Sequence, residues 1–170
     1  MFRTAVCLVL SDSLPPSVIA ARIAIEKLMI QNPGTFGSNL LRSVDFCPDK
    51  ISVDESGRML FPFHATPGVG NIFDTVHGGA WSSFADVFTT VHLWGIRPEM
   101  NHVSITLSLS FFSSAKIGQD IVCRTTAQKV GKRVAFTEFS FEDSASGQVL
   151  VSGSHVKSFV SVAQREGVKM

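Results

Sequence analysis

Neither sign of charge dominates this sequence: 15 lysines and arginines face 14 aspartates and glutamates, a formal net charge of +1. Such balance argues against a strong nucleic-acid or acidic-membrane surface, and leaves room for a local basic patch that holds a small anion. Cysteine is scarce. Cys7, Cys47 and Cys123 are odd in number and have no paired spacing, which suggests neither a disulfide framework nor a zinc site and fits a reducing intracellular compartment, cytoplasmic or mitochondrial. No apolar run approaches the roughly 20 residues of a membrane span, so stable membrane insertion is not expected. The opening Met-Phe-Arg-Thr-Ala-Val-Cys-Leu-Val-Leu joins one arginine to an apolar run shorter than a signal-peptide core, and reads as a docked or frayed terminus. Repeats and low-complexity tracts are lacking. The expectation is therefore one domain over 1–170, with 1–12 and 163–170 as loose ends. A glycine-rich phosphate loop and a G-x-S-x-G elbow are also missing, which disfavours nucleotide hydrolysis and α/β-hydrolase chemistry.

What is present concentrates in 71–94. From Ala80 to Trp94 there is no proline or glycine, and Ala80, Trp81, Phe84, Val87, Phe88, Val91 and Trp94 recur at three- and four-residue steps. That periodicity predicts a helix, and its near-complete apolar girth predicts a buried one. The polar exceptions Ser82, Ser83, Asp86, Thr89 and Thr90 share one side, with Asp86 the only charge. A lone carboxylate on such a helix is paired, hydrogen-bonded, neutralised or functional. Gly78 and Gly79 leave the first N–H groups of the helix without side-chain cover, free to polarise a carbonyl or hold an anion. Eight residues of helix place Gly78 and Asp86 roughly 12 Å apart, too far to act on one carbonyl. If both serve one reaction, a second protomer must bring its Asp86 to the first protomer's Gly78.

In chain order, 17–31 reads as a helix with Val18, Ala21, Ile25 and Leu28 on one face, stopped by Asn32-Pro33-Gly34. A glycine-rich link over 35–38, an extended segment over 41–53 and a strand over 59–64 follow. Past Pro98 the period changes to two: 103–111 alternates throughout, and strands over 120–130, 133–142 and 149–160 complete an antiparallel meander. A bent antiparallel sheet wrapped around the long central helix accommodates this order, an α+β arrangement.

The run His77-Gly78-Gly79 followed by Asp86, then Val103-Ser104, then Phe112-Ser113-Ser114-Ala115-Lys116-Ile117-Gly118, resembles the hotdog-fold acyl-CoA thioesterases, especially the phenylacetate-pathway type and the related small tetrameric enzymes. The resemblance covers about 71–160. It implies hydrolysis of acyl-CoA to a free acid and coenzyme A, a place in fatty acid metabolism, no metal or redox cofactor, and at least a homodimer, with a homotetramer as the family's assembly. It further implies that Asn71 and His77 shape the site and that the Gly78 N–H polarises the thioester carbonyl. By the same resemblance, Asp86 of the facing subunit would act as base or nucleophile, with Ser104 helping to orient the water. Coenzyme A carries phosphates, so Gly79, Lys116, Lys129, Lys132, Arg133, His155 and Lys157 are candidates for the binding mouth. Three departures stand out: Asp74 where a small residue such as glycine is usual, Ser114 where proline is common, and Ser104 followed by Ile105-Thr106 rather than by an acidic residue nearby.

Plainer readings compete. Asp86 can bond to Ser82 or Ser83 or pair with a cation, and His77 can cap the helix. His92 and His102 show no partner spacing and read as structural. On pattern alone Ser104 shares a solvent face with Thr106, Ser108 and Ser110. The aromatics Trp81, Phe84, Phe88 and Trp94 are more often core, though a helix facing its twin across an interface could leave a slot beside them for an acyl chain. Rival functions are a non-catalytic acyl-CoA-binding or scaffold protein and a hydratase or dehydratase on the same fold.

Overall fold

The computed structural model describes residues 14–160, so the opening segment and the end of the tail lie outside the described residues. Helix α1 spans Pro16–Gln31, with Pro16 in the first turn, where a missing N–H costs nothing, and Val18, Ala21 and Ile25 buried. The segment expected to be a link and then extended chain instead folds as helix α2, Phe36–Ser43, burying Leu40 and Leu41. A single 3-10 turn at Pro48–Lys50 and a two-residue strand β1, Ser52–Val53, are all that follow before the turn at Gly57. Two glycines in 34–37 suggested a link, but the apolar side of this short helix docks. Gly37 sits over Leu28 and Val87, where even an added Cβ would make ordinary contact at 3.5 and 3.6 Å, so this glycine does not oppose the helix by crowding.

Strand β2, Met59–His64, alternates buried and half-buried residues as expected. Helix α3 runs Gly78–Ile96. It is longer than the periodicity predicted and continues through Gly95, where an added Cβ would stand 2.6 Å from the Ser17 carbonyl oxygen. That contact explains why α1 and α3 meet so closely. Trp81, Phe84 and Phe88 are fully buried and interleave with Phe61, Phe63 and Phe141 of the sheet. These three rings belong to the core of the protomer. Trp94 lies instead against His102.

Strands β3 (Asn101–Phe111), β4 (Asp120–Val130), β5 (Val134–Asp143) and β6 (Val149–Val160) complete one antiparallel sheet of order β1-β2-β4-β5-β6-β3. Only β4-β5-β6 form the expected meander. β3 crosses past β4 to pair with β6 and forms the sheet edge, while β4 pairs with β2. The connection between β3 and β4 is a turn stapled by the Thr75–Lys116 bridge, so it leads away from β3 rather than back along it. Val103 and Ile105 on that edge are more than half exposed.

The alternation of β3 also breaks. Ser104 faces Lys157 and Thr106 faces Val156, which leaves Ile105 as an extra, bulged residue. A bulge inverts the in–out parity beyond it. Leu107 and Leu109 therefore turn to the core, and Ser104 points the same way, opposite to Thr106, Ser108 and Ser110.

Candidate active site

Asp86 projects from the middle of α3 toward β3 and β6. Lys157 Nζ donates to its Oδ1 at 2.8 Å and Ser104 Oγ at 3.1 Å. Lys157 also reaches Ser104 Oγ at 3.1 Å, and His155 Nε2 lies 2.9 Å from that hydroxyl. His155 Nδ1 meets Thr89 Oγ1 at 2.7 Å, which returns the chain of contacts to α3. Ser82 and Ser83 take no part, since each bonds back to the carbonyl of Gly78 or Gly79. The cation left open by the sequence is thus Lys157, and Ser104 is no idle surface serine.

Burial raises the Asp86 carboxyl, but the hydrogen bond and charge of Lys157, helped by His155 and Ser104, outweigh it and hold the group below its ordinary range. Burial lowers the Lys157 ammonium, partly offset by Asp86. Burial, then the charge of Lys157, lowers His155 to about 4. His92 and His102 are likewise lowered to about 4, chiefly by burial. His92 bonds Thr125 across the core at 2.7 Å, as a structural histidine would.

These histidines set an acid limit on the fold. Unfolded imidazole titrates near 6.5, so between about 6.5 and 4 the unfolded chain takes up protons that the folded chain refuses. Stability is then full above the unfolded value and falls as pH drops, by about 1.4 kcal/mol per pH unit for each such group. Urea unfolding at about pH 7 and about pH 5 should show a clearly lower midpoint at the acid value; equal midpoints would contradict the burial argument.

At the other end of α3, His77 caps the helix: its Nδ1 accepts from the Gly79 N–H at 2.9 Å. Gly79 is therefore committed within the protomer. Among the described residues no acceptor meets the Gly78 N–H, so one of the two donors anticipated at this helix end remains available. A hairpin over 70–76 stands beside it, closed by Asn71, whose Oδ1 accepts from Phe73 and Thr75 N–H at 2.8 and 3.3 Å. Asn71 thus shapes this entrance by fixing the turn. Asp74 holds a left-handed backbone, φ +54°, which explains why glycine suits the position and shows that aspartate tolerates it. An open cavity of about 640 Å³ lies between the hairpin and Gly78. A second, of about 330 Å³, lies on the other side, lined by Val76, Trp81, Phe111 and Phe112.

The proposed mouth residues do not converge. Lys116 is exposed beside Thr75, near the Gly78 end. Lys129, Lys132 and Arg133 are exposed around the β4–β5 hairpin, where the Arg133 carbonyl meets Phe159 near the far end of the sheet. His155 and Lys157 depart from the mouth assignment: they are 0 % and 3 % exposed and engaged around Asp86. Their signal was legible, because they share a face of β6 with buried Val151 and Phe159, an odd place for a histidine and a lysine. Among the described residues no group of three or more His, Cys, Asp or Glu side chains is placed to hold a metal ion.

A thioesterase superfamily model matches residues 73–149, which run from within the hairpin through α3, β3, β4 and β5 to the first residue of β6. Over that stretch, which is less than half of its length, the chain is similar to the thioesterase superfamily. Human acyl-coenzyme A thioesterase 13 is 32% identical over 87 residues, which make up 51% of this chain and 62% of that protein. The present chain therefore spans less than two thirds of that relative's length. The crystal structure of zebra fish thioesterase superfamily member 2 superposes with a TM-score of 0.70 at 22% identity, covering 87% of this chain and 100% of that one. The Escherichia coli PaaI protein of the phenylacetic acid degradation operon gives 0.65 at 13% identity, covering 84% and 96%. These likenesses establish the hotdog fold. Among the described residues no helix is long and apolar enough to cross a membrane.

Proposed function

We propose that this protein is an acyl-CoA thioester hydrolase whose sites are shared between two copies of the chain. The observation that carries the reading is the division of labour along α3. A free backbone donor, Gly78, opens the helix between two cavities, and a half-exposed carboxylate, Asp86, lies two turns further on. The likeness to acyl-coenzyme A thioesterase 13 supports acyl-CoA as substrate. The exposed edge β3, which carries Ser104 beside Asp86, supports association of two copies through that side. A dimer is the minimum, and a dimer of dimers fits the family.

In this reading Gly78 of one protomer receives the thioester carbonyl oxygen. Asp86 of the other takes a proton from water as its oxygen attacks the carbonyl carbon. The tetrahedral oxyanion is held at the Gly78 N–H, then collapses with cleavage of the C–S bond. The departing thiolate recovers the proton from Asp86, which balances the cycle as acid plus coenzyme A. An oxyanion donor is worth about 10² to 10³ in rate. The free thiols of Cys47 and Cys123 suit a reducing compartment, cytoplasmic or mitochondrial.

The test is thiol release from a panel of acyl-CoA esters, followed by mixing of Asp86→Ala and Gly78→Pro subunits. Wild-type release and partial recovery in the mixture are expected, because some mixed pairs hold one intact site. No release on any ester would end the hydrolase reading, and coenzyme A-dependent stabilisation would then favour a binding protein. Release without complementation, despite subunit exchange, would end the shared-site reading alone.

A further inference from the structure

We propose that Lys157 is a positioning residue for this hydrolysis: from the buried face of β6 its ammonium clamps Asp86 Oδ1 and Ser104 Oγ together and leaves Asp86 Oδ2 as the oxygen presented for chemistry. The inference rests on the hydrolase reading and deepens it. It begins with an asymmetry. The Lys157 side chain is 3 % exposed and that of Asp86 49 %. Removing an ammonium from water is expensive. A pair kept only for packing would be sealed on both sides, whereas here the cation is sealed and the carboxylate faces out.

Hydrogen-bond capacity narrows the geometry. A serine hydroxyl has one proton and two acceptor positions. Ser104 lies within bonding distance of Asp86 Oδ1, Lys157 Nζ and His155 Nε2. Thr89 Oγ1 donates to the Ala85 carbonyl at 2.7 Å and so accepts from His155 Nδ1–H, which leaves Nε2 as an acceptor; Ser104 then directs its one proton to Nε2 or to Asp86 Oδ1, while Lys157 donates to both Oδ1 and Ser104 Oγ. Lys157 and Ser104 both meet Asp86 at Oδ1, and among the described residues no donor reaches Oδ2. The β3 bulge is what turns Ser104 into this cluster. The charged and titratable groups facing Asp86 are Lys157 and His155 from β6 and His102 from β3. Both histidines are neutral near pH 7, so Lys157 supplies the one fixed charge.

Lys157→Gln tests the assignment, with Lys157→Met as a second variant of similar length. The expected result in wild-type background conditions is a kcat lower by about 10- to 100-fold, since small misplacements of reacting groups carry penalties of that size, with KM for acyl-CoA unchanged. The acid limb of the kcat/KM profile should move to higher pH. A raised KM with intact kcat would overturn the proposal and return Lys157 to phosphate binding, as would an unmoved acid limb in both variants. A second readout is independent of turnover. In protein carrying ¹³C-labelled aspartate, the Asp86 carboxyl resonance, assigned by its loss in Asp86→Asn, should titrate at higher pH in either variant than in wild type. If wild type cleaves no ester, the hydrolase reading fails, yet this titration still decides whether the clamp exists.

Discussion

Asp86→Asn should lower thiol release by about 10² to 10⁴, the range of a positioned acid–base group, with little change in KM. The substitution keeps the shape of the side chain and an oxygen to accept from Lys157, and removes the ability to take a proton. It also leaves a buried ammonium without its counter-charge, which is destabilising in its own right. Activity must therefore be compared where wild type and variant are equally folded, by matched thermal unfolding and oligomeric state. Full activity in Asp86→Asn would remove Asp86 from the chemistry and reduce its pairing with Lys157 to architecture.

The largest structural effect is expected at Gly153. This residue sits in the middle of β6, opposite Leu109 of β3 on one side and Phe139 of β5 on the other. A Cβ there would stand 1.9 Å from the Ser108 carbonyl oxygen and 2.7 Å from the Phe139 ring. Backbone cannot rotate away as a flexible side chain can. Overpacking ordinarily costs about 1 to 3 kcal/mol, occasionally more, and Gly153→Ala belongs at or above the top of that range. Against a total stability of about 5 to 15 kcal/mol for a typical domain, the loss should be plain in urea unfolding. Because the clash pries β3 from β6, it should also loosen Ser104 from Asp86 and reduce activity in the surviving folded fraction. A midpoint within experimental error of wild type would refute the close approach.

How much of this could be read from residues alone depended on whether the signal was local. The apolar periodicity of α3 and the alternation of β4, β5 and β6 are local, and they led to the right elements. So did the polar stripe that singled out Asp86. Helix α2 was missed because two nearby glycines outweighed a short apolar side whose docking site lies on α1 and α3. The position of β3 was missed because short connections favour chain neighbours, whereas its partner is the last strand. Ser104 was misjudged for a subtler reason: a single bulged residue at Ile105 reverses the strand's parity, and nothing in an alternating sequence marks the place. The engagement of Lys157 and His155 with Asp86 was within reach, since both occupy the apolar face of β6. Reading them as coenzyme A contacts came from charge alone, without asking which way their strand faces.

The strand order also bears on how the molecule comes into being. Strand β3 is made before β4 and β5, yet its only neighbour among the described strands is β6, the last of the six. Closing so long a loop defers the entropic return of that pairing until nearly all of the described chain is present. Ser104 on β3 and His155 and Lys157 on β6 reach Asp86 only through that closure. A growing chain that has not yet released β6 therefore holds an aspartate on a helix and nothing around it. The setting that distinguishes Asp86 from any other carboxylate is among the final things the fold completes.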